Sequence, residues 1–204
     1  MRLPPAIPAL AALLSALALS AQDIVWLDTL DLARMTSSGE RPQPNATVNG
    51  NPFRIARQRF QRGVGTHAES WFALDTHGGA LAFEAAVGLD DEELNRGKGS
   101  VIFRVYADAR LVADSGVMRA RQPAKRLTAD LTGASRVILH VSDAGDGDDF
   151  DHADWCDAFF TLKPGAVLTP VAEPLSPQLG ILTPPPPPAP RINGPRVFGA
   201  RPGN

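Results

Sequence analysis

The chain has 204 residues, with 20 basic and 22 acidic side chains and a formal net charge of −2 at pH 7. This length fits one domain, or one domain with tails. The balanced charge and the absence of a long basic run argue against a nucleic-acid partner. Hydrophobic residues make up 44% of the chain, enough for a core of ordinary size.

Residues 1–21 have the pattern of a secretory signal peptide. Arg2 precedes an apolar run at 9–19, and small residues follow at Ser20 and Ala21. Because this run is shorter than the ~20 apolar residues of a membrane-spanning helix, cleavage after Ser20 or Ala21 is expected; a retained anchor is the alternative. We therefore predict a secreted, periplasmic or extracellular protein with no membrane attachment after cleavage.

Residues 22–165 are predicted to form an all-β domain. Short apolar stretches alternate there with Gly, Asp, Asn and Pro, and period-two alternation is typical of half-buried strands. Several strands at short spacing favour a β-sandwich or jelly roll. The stretch LDTLDLARM at 27–35 is the best candidate for one short helical turn. The predicted strands are PFRIARQRF at 52–60, SWFALD at 70–75, LAFEAAVG at 81–88, SVIFRVYAD and RLVADSG as a hairpin turning through 108–110, KRLTADL at 125–131 and RVILHVSD at 136–143.

The end of the chain is rich in proline. Residues 166–190 are interpreted as a linker, because the five consecutive prolines at 184–188 favour a stiff polyproline II spacer. Residues 191–204 are either the start of a further module or a free tail.

The sequence lacks the common signatures of catalysis. It contains no nucleophile elbow, no zinc-protease motif, no P-loop and no dinucleotide-binding motif. Paired carboxylates could still carry out glycoside hydrolysis. A small glycosidase would use two of Asp90, Asp91, Asp151 and Asp154. We expect no catalytic residue in this chain and keep the glycosidase as an alternative.

The acidic stretch DAGDGDDFD at 143–151 raises the question of calcium. Calcium takes six to eight oxygen ligands from carboxylates and loop carbonyls, and this Gly-containing loop offers both. It is not an EF-hand loop, because Phe150 and Asp151 occupy the fifth and sixth positions counted from Asp146, where an EF-hand has a ligand and a glycine. A structural Ca²⁺ is predicted, with Asp146, Asp148 and Asp149 as candidate ligands; a solvated acidic loop is the alternative.

Acids, histidines and one tryptophan stand at predicted loop ends. Carboxylates accept hydrogen bonds from sugar hydroxyls, and a Trp or His ring can cover the apolar face of a sugar. The candidate carbohydrate-binding residues are His67, Asp90, Asp91, Asp151, His152 and Trp155.

Two of these residues, His67 and Trp155, also have a structural interpretation. His67 could be buried and bonded to Asp90, since buried polar groups need partners. Trp155 could pack in the core, with alternation placing it on one face with Asp157 and Phe159.

The single cysteine, Cys156, cannot form an internal disulfide and is interpreted as a small hydrophobic residue of a strand. Trp26 and Trp71 are expected in the core.

The combination of GVGTHA at 63–68, VGLDD at 87–91 and DHADW at 151–155 resembles a known family. Together with VWLDTLD and VNGNPFRI, in the same order, these motifs are similar to the NPCBM family, also called carbohydrate-binding module family fifty-one. The resemblance runs from about Ile24 to Phe160, with Cys156 as a small departure.

This resemblance implies a jelly-roll sandwich that binds terminal sugars, notably galactose-type units of glycans. It also implies attachment to a glycoside hydrolase, so that the partners would be a glycan and a hydrolase catalytic domain. A bound calcium is common in sandwiches of this kind. A protein-interaction or cell-wall scaffold module is the remaining alternative, and the proline-rich segment fits it.

Overall fold

The computed structural model of the chain describes residues 22–92 and 97–172. The predicted signal peptide at 1–21, most of the predicted linker and the stretch 191–204 lie outside the described residues. Within the described part of the chain, no helix has the length and apolar character needed to cross a membrane.

The described residues form strands and two single-turn 3-10 helices, Leu27–Thr29 and Leu32–Arg34, in the stretch predicted to hold one short turn. In chain order the strands are β1 (Asp23–Trp26), β2 (Thr36–Ser37), β3 (Gln43–Pro44), β4 (Arg54–Ile55), β5 (Gln58–Arg59), β6 (Gly63–His67), β7 (Ser70–Asp75), β8 (Ala80–Leu89), β9 (Ser100–Ala107), β10 (Arg110–Asp114), β11 (Met118–Arg119), β12 (Lys125–Asp130), β13 (Arg136–Ser142), β14 (His152–Leu162) and β15 (Thr169–Val171).

Two antiparallel sheets make up the sandwich, which confirms the predicted fold class. The first sheet has the order β12-β8-β14-β6-β3, with β1 also paired to β14. The second sheet has the order β10-β9-β13-β7-β15, with β11 paired to β9 and β2 paired to β7. Strands β4 and β5 form a separate small hairpin.

The core lies between the two sheets and is centred on Trp155. The indole is fully buried. Its ring centroid lies 4.9 Å from that of Phe103 on the second sheet and 5.7 Å from that of Phe83, both in edge-on geometry. Such pairs add to the free energy of burial. Trp155 was a candidate sugar-stacking residue, and the structure corrects this prediction because its ring has no exposed surface.

A β-bulge in β14 changes the predicted alternation. Cys156 pairs with Ala86 and Phe159 pairs with Glu84, so β14 holds one extra residue there. Asp157 has a positive φ of 45°, which is the local kink that a bulge introduces. Trp155, Asp157 and Phe159 therefore do not share a face, and Phe159 turns outward to lie 5.2 Å from the ring of Trp26.

The segment 52–60 is a tight hairpin rather than the single predicted strand. Its turn residues Ala56 and Arg57 have positive φ values of 45° and 70°, the conformation of a two-residue type I′ turn. The hairpin packs on the outer face of the first sheet, where Phe53, Ile55 and Phe60 form a cluster with Cys156. Burial raises the pKa of the Cys156 thiol far above its usual value, so the thiol stays protonated and behaves as a small hydrophobic group, as predicted.

Two further predictions concern turns and the end of the domain. The hairpin between β9 and β10 turns through Asp108 and Ala109, both with positive φ, as predicted for 108–110. The last strand, β15, pairs with β7 and lies beyond residue 165, where the sequence placed the end of the domain. Leu168 is also buried, so the packed domain includes the first residues of the predicted linker.

We expect Trp155→Ala to lower the free energy of unfolding by about 3–5 kcal/mol, the usual cost of removing a buried aromatic ring. Trp155→Phe should cost less, because it keeps a ring beside Phe103. Urea unfolding of both variants measures these values. A loss below ~1 kcal/mol for Trp155→Ala would contradict a central place for this ring in the core.

Candidate functional site

Polar side chains gather at one end of the first sheet. His67 is the last residue of β6 and His152 is the first residue of β14, and the two are direct cross-strand partners. Their ring centroids lie 5.4 Å apart. Strand β8, on the other side of β14, ends at Leu89, so the residues that follow it reach the same end of the sheet.

Glu92 is the centre of this polar cluster. His152 donates from Nδ1 to Glu92 Oε2 over 2.6 Å. The side-chain amide of Asn49 donates to Oε2 over 2.7 Å, that of Asn51 donates to Oε1 over 2.8 Å, and the Thr47 hydroxyl also donates to Oε1. Only 5% of the Glu92 side chain is exposed, so the carboxylate organises these groups from below the surface. We name Thr47, Asn49, Asn51, Glu92 and His152 the Glu92 cluster.

The Glu92 carboxylate is ionised in this environment. Burial alone would raise its pKa, but the hydrogen bonds from His152, Thr47, Asn51 and Asn49 outweigh burial and lower the pKa to about 2. A buried anion with several donors is the arrangement that favours the charged form of a carboxylate. The same bonds fix the side-chain amides of Asn49 and Asn51 with their nitrogens turned toward Glu92.

Gly65 explains how the loop that carries the two asparagines reaches the sheet. A Cβ atom at Gly65 would lie 2.4 Å from the carbonyl oxygen of Ala46 and 2.6 Å from Cα of Thr47. Only glycine permits so close an approach of two backbone segments. The GVGTH motif therefore serves the site in two ways, since Gly65 admits the loop and His67 lies at its edge.

The His67 side chain is held in place by groups next to the end of β6. Its Nδ1 lies 2.8 Å from the carbonyl oxygen of Ala68 and 3.3 Å from Oγ of Ser38. Nδ1 therefore carries the proton and donates to Ala68, which leaves Nε2 as an acceptor in the neutral ring. The predicted bond between His67 and Asp90 is not formed. His67 is only half-buried, so its ring is accessible beside His152.

An open depression of about 460 Å³ lies beside the Glu92 cluster. It falls within the range of small-ligand pockets. Four polar side chains in its lining, Asn49, Asn51, Arg54 and Arg59, are exposed. The lining residues are Asn49, Asn51, Pro52, Phe53, Arg54, Arg59, Asp90 and Glu92.

Asp90 and Asp154 are buried partners rather than surface acids. Asp90 is 3% exposed and Asp154 is 1% exposed. The backbone N–H of Arg54 donates to Asp90 over 2.7 Å. Burial, together with the nearby charge of Asp90, raises the pKa of Asp154 well above its usual value, which favours the protonated form of this carboxyl group. The predicted role of Asp90 in direct sugar contact is therefore replaced by a role in holding the hairpin 52–60 on the sheet.

Asp91 is a turn residue. Its carboxylate accepts hydrogen bonds from the backbone N–H groups of Ala56 at 3.1 Å and Arg57 at 2.6 Å. These two donors belong to the tight turn between β4 and β5, so Asp91 stabilises that turn.

Asp151 is fully buried behind the acidic loop. Its Oδ1 accepts a hydrogen bond from the backbone N–H of Ser100 at 2.8 Å. Burial, reinforced by the nearby charges of Asp146, Asp143 and Asp148, raises the pKa of Asp151 to about 7. Its carboxylate is thus directed inward, away from any surface where a sugar could lie.

The structure gives each of the four carboxyl groups of the glycosidase alternative a place in the folded domain. Asp90, Asp91 and Asp151 bond to backbone N–H groups, and Asp154 is enclosed. This arrangement differs from the pair of carboxyl groups facing each other across an open cleft that glycoside hydrolysis uses.

The predicted calcium ligands point to different partners. Asp146 accepts from the Ser100 hydroxyl at 2.8 Å, and Asp148 accepts from the Ser38 hydroxyl at 3.1 Å. In residues 22–92 and 97–172, no group of three or more His, Cys, Asp or Glu side chains is arranged to hold a metal ion. The side chains as placed do not form a calcium cage, and calcium stays a prediction.

The sequence prediction named the two histidines that the structure brings together, and it did not name Glu92, Asn49 or Asn51. The signal was present, because VNGNP at 48–52 puts two amide side chains two residues apart in a turn. Glu92 was one of many acids in VGLDDEE, and only the fold shows which of those acids meets the asparagines.

We expect Glu92→Gln to lower the free energy of unfolding by about 2 kcal/mol at neutral pH, because it weakens several hydrogen bonds to a buried charge. The folded pKa of Glu92 lies below its unfolded value of 4.5, so its contribution is present above that value. It is lost as the pH falls toward about 2. Urea unfolding at neutral and acidic pH should show the two proteins converging in acid. Glu84→Gln, at a partly exposed site paired with Arg126, is the control; an equal loss in both variants would contradict the prediction.

We expect Asp154→Asn to become more stable relative to the parent chain as the pH rises. The folded pKa of Asp154 lies above its unfolded value of 3.8, so ionisation of the carboxyl in the unfolded chain costs stability above that pH. The asparagine amide cannot ionise and keeps a neutral polar group of similar size at this buried position. Thermal unfolding across a pH series measures the difference, with Asp157→Asn at the exposed bulge as control. A pH-independent difference would contradict the buried proton.

Comparisons with known proteins place this arrangement among carbohydrate-binding modules. The family model described as the NPCBM/NEW2 domain matches residues 23–161. A structure of a CBM51 module from Clostridium perfringens GH95, in complex with methyl-galactose, is 28% identical with a TM-score of 0.61. The match covers 68% of this chain and 99% of that module. A structure of CBM51-2 and INT domains from C. perfringens ZmpB, with CBM51-2 in complex with GlcNAc, is 31% identical with a TM-score of 0.63, over 71% of this chain and 33% of that one.

Curated relatives are much longer enzymes. An alpha-1,3-galactosidase B of Akkermansia muciniphila is 35% identical over 106 residues, which is 50% of this chain and 13% of the relative. A candidate endo-alpha-N-acetylgalactosaminidase of Renibacterium salmoninarum is 29% identical over 170 residues, which is 80% of this chain and 10% of the relative. The chain thus spans about a tenth of these proteins. The family match over 23–161, on a two-sheet sandwich with a polar site at one end, shows that this chain belongs to the NPCBM/NEW2 domain family of carbohydrate-binding modules.

Proposed function

We propose that this chain is a secreted, non-catalytic module that binds terminal galactose-type sugars at the edge formed by His67 and the Glu92 cluster. Support comes from the family and from the similar modules solved with methyl-galactose and with GlcNAc. Of the four candidate catalytic aspartates, Asp90, Asp91 and Asp151 bond to backbone N–H groups and Asp154 is enclosed, which supports a binding role over hydrolysis.

The observation that carries the proposal is the way in which Glu92 orients its neighbours. It accepts hydrogen bonds from the side-chain nitrogens of Asn49 and Asn51, which leaves both carbonyl oxygens to accept from sugar hydroxyls. Because these side chains are held before a ligand arrives, binding does not have to order them. The exposed asparagines and the accessible His67 ring thus form a prepared set of acceptors for a polyhydroxylated ligand.

The biological role follows from weak binding at one site. A small exposed site with few contacts gives modest affinity, and its use is to keep an attached hydrolase near its glycan. Tethering raises the effective concentration of the second partner without any new contact. We therefore propose a glycoside hydrolase as the functional partner and an extracellular or periplasmic location.

Calcium is a separate part of the proposal. Asp146, Asp148 and Asp149 lie in one exposed loop, and rearrangement of Asp146 and Asp148 away from Ser100 and Ser38 would be needed to bring them onto a common ion. Thermal unfolding with calcium and with a chelator tests this. An unchanged melting temperature would contradict a structural calcium site in this loop.

Calorimetric titration with methyl-galactose, lactose and GlcNAc tests the sugar proposal. We expect binding of a galactose-type sugar, and about tenfold weaker binding in His67→Asn, since one hydrogen bond to a ligand is worth ~1–1.5 kcal/mol. His77→Asn is the matched control, because His77 is an exposed histidine in the distant turn before β8. Absence of binding to every sugar by the folded protein, or an equal loss in both variants, would overturn the proposal.

A further inference from the structure

Two arginines lie side by side on the hairpin 52–60, next to the sugar site. Arg54 of β4 and Arg59 of β5 are direct cross-strand partners. Opposite residues of an antiparallel pair point to the same face, with Cβ atoms about 4.5–5.5 Å apart, so the two side chains leave the hairpin together. Both are exposed, and both line the depression beside the Glu92 cluster. We name Arg54 and Arg59 the arginine pair.

The arginine pair does not help the hairpin to form. Like charges directly opposite each other on two strands are destabilising. The hairpin is held instead by its backbone, because the N–H of Arg54 donates to Asp90 over 2.7 Å and the N–H of Asp91 donates to the carbonyl oxygen of Arg54 over 2.7 Å. Phe53 and Ile55 anchor it through their buried side chains. Folding alone therefore does not explain two adjacent positive charges at this place.

Arg59 carries the uncompensated charge of the pair. The Arg54 guanidinium lies 3.6 Å from Oδ2 of Asp91 and donates to the Asp91 carbonyl oxygen over 3.4 Å. Among residues 22–92 and 97–172, the Arg59 side chain has no hydrogen bond or ion pair. Its guanidinium is thus available to a ligand at the wall of the depression.

The acids in the same lining are occupied by other groups. Glu92 is ionised, but its side chain is only 5% exposed and four side chains donate to it. Asp90 is buried and accepts from the backbone of Arg54, and burial raises its pKa. The charged groups that the depression presents to solvent are therefore the two guanidinium groups.

A guanidinium group matches the geometry of an oxyanion. Its planar fork donates two parallel hydrogen bonds to a carboxylate or phosphate, and such charge-assisted bonds are roughly twice as strong as neutral ones. The oxygens of a sulfate ester present the same geometry. Asn49 and Asn51, in the same lining, hold carbonyl oxygens that accept from hydroxyl groups. One side of the depression thus suits hydroxyl groups, and the other side suits an anion.

We propose that the depression binds galactose-type sugars that carry an anionic substituent, a sulfate ester or a carboxylate, with the sugar hydroxyls at Asn49 and Asn51 and the oxyanion at the arginine pair. This inference rests on the proposed sugar-binding function and specifies its ligand class as acidic glycans. Arg59, which has no other partner, supplies most of the preference for the acidic form.

Calorimetric titration of the full chain with lactose, sulfated lactose and sialylated lactose tests the proposal. The acidic ligands are substituted either on a ring hydroxyl or on the primary hydroxyl of the galactose unit. We expect at least one of them to bind about tenfold more tightly than lactose, the ratio that one charge-assisted hydrogen bond supplies. This ratio should shrink at high salt, because exposed charges are screened. The sulfated and sialylated forms distinguish a sulfate ester from a carboxylate.

Substitution of Arg59 locates the effect. Arg59→Gln should remove most of the ratio between acidic and neutral ligands. Arg59→Lys should restore only part of it, because an ammonium group keeps the charge but lacks the fork. Arg110→Gln is the matched control and should leave the ratio unchanged, since Arg110 is an exposed arginine on β10 of the second sheet and its loss changes the net charge equally.

Three results would overturn this inference. Equal affinities for lactose and every acidic form would do so and leave the proposed function standing. A preference for acidic forms that Arg59→Gln leaves intact, or that Arg110→Gln reduces equally, would place the effect outside the arginine pair. Absence of binding to all of these sugars by the folded protein would overturn both this inference and the proposed function.

Discussion

The placement of β14 between β6 and β8 is the constraint on which the rest of this structure depends. This eleven-residue strand directs Trp155 into the core and Asp154 and Cys156 to the outer face. Its first residue, His152, is set against His67. Because side chains alternate along a strand, a shift of one residue would send the indole outward and separate the histidines. One register thus fixes both the core and the candidate site.

The direction of the pKa shift of a buried acid in this domain depends on the groups that surround it. Glu92 is buried but meets four donors, and its pKa falls to about 2. Asp154 is buried beside another carboxyl group, and its pKa rises. Burial raises the pKa in both cases, so the neighbours decide the outcome. Two carboxyl groups in one short region of the sheet therefore differ: Glu92 is an organising anion, and Asp154 favours its neutral form.

Much of the fold and part of the site could be predicted from local patterns. Strands β8 and β12 have a period-two alternation of buried and more exposed residues, which depends on a few adjacent residues. The hairpin 52–60 was missed because its positive-φ turn at Ala56 and Arg57 has no glycine or asparagine to mark it. In the site, His67 and His152 stood in conspicuous motifs. Glu92 did not, since its role depends on a loop more than forty residues earlier in the chain.

The sequence by itself determined an all-β domain, the motifs of its family and the kinds of side chain available to hold a sugar. Those properties are local, because alternation and motif spacing depend on residues that are close together in the sequence. The tertiary structure alone decided that Trp155 belongs to the core. It also decided that Asp90, Asp91 and Asp151 accept hydrogen bonds from backbone N–H groups. The orientation of Asn49 and Asn51 by Glu92 is likewise a result of the tertiary structure. Burial and hydrogen-bond partnership arise between residues distant in the chain, so no local pattern can specify them.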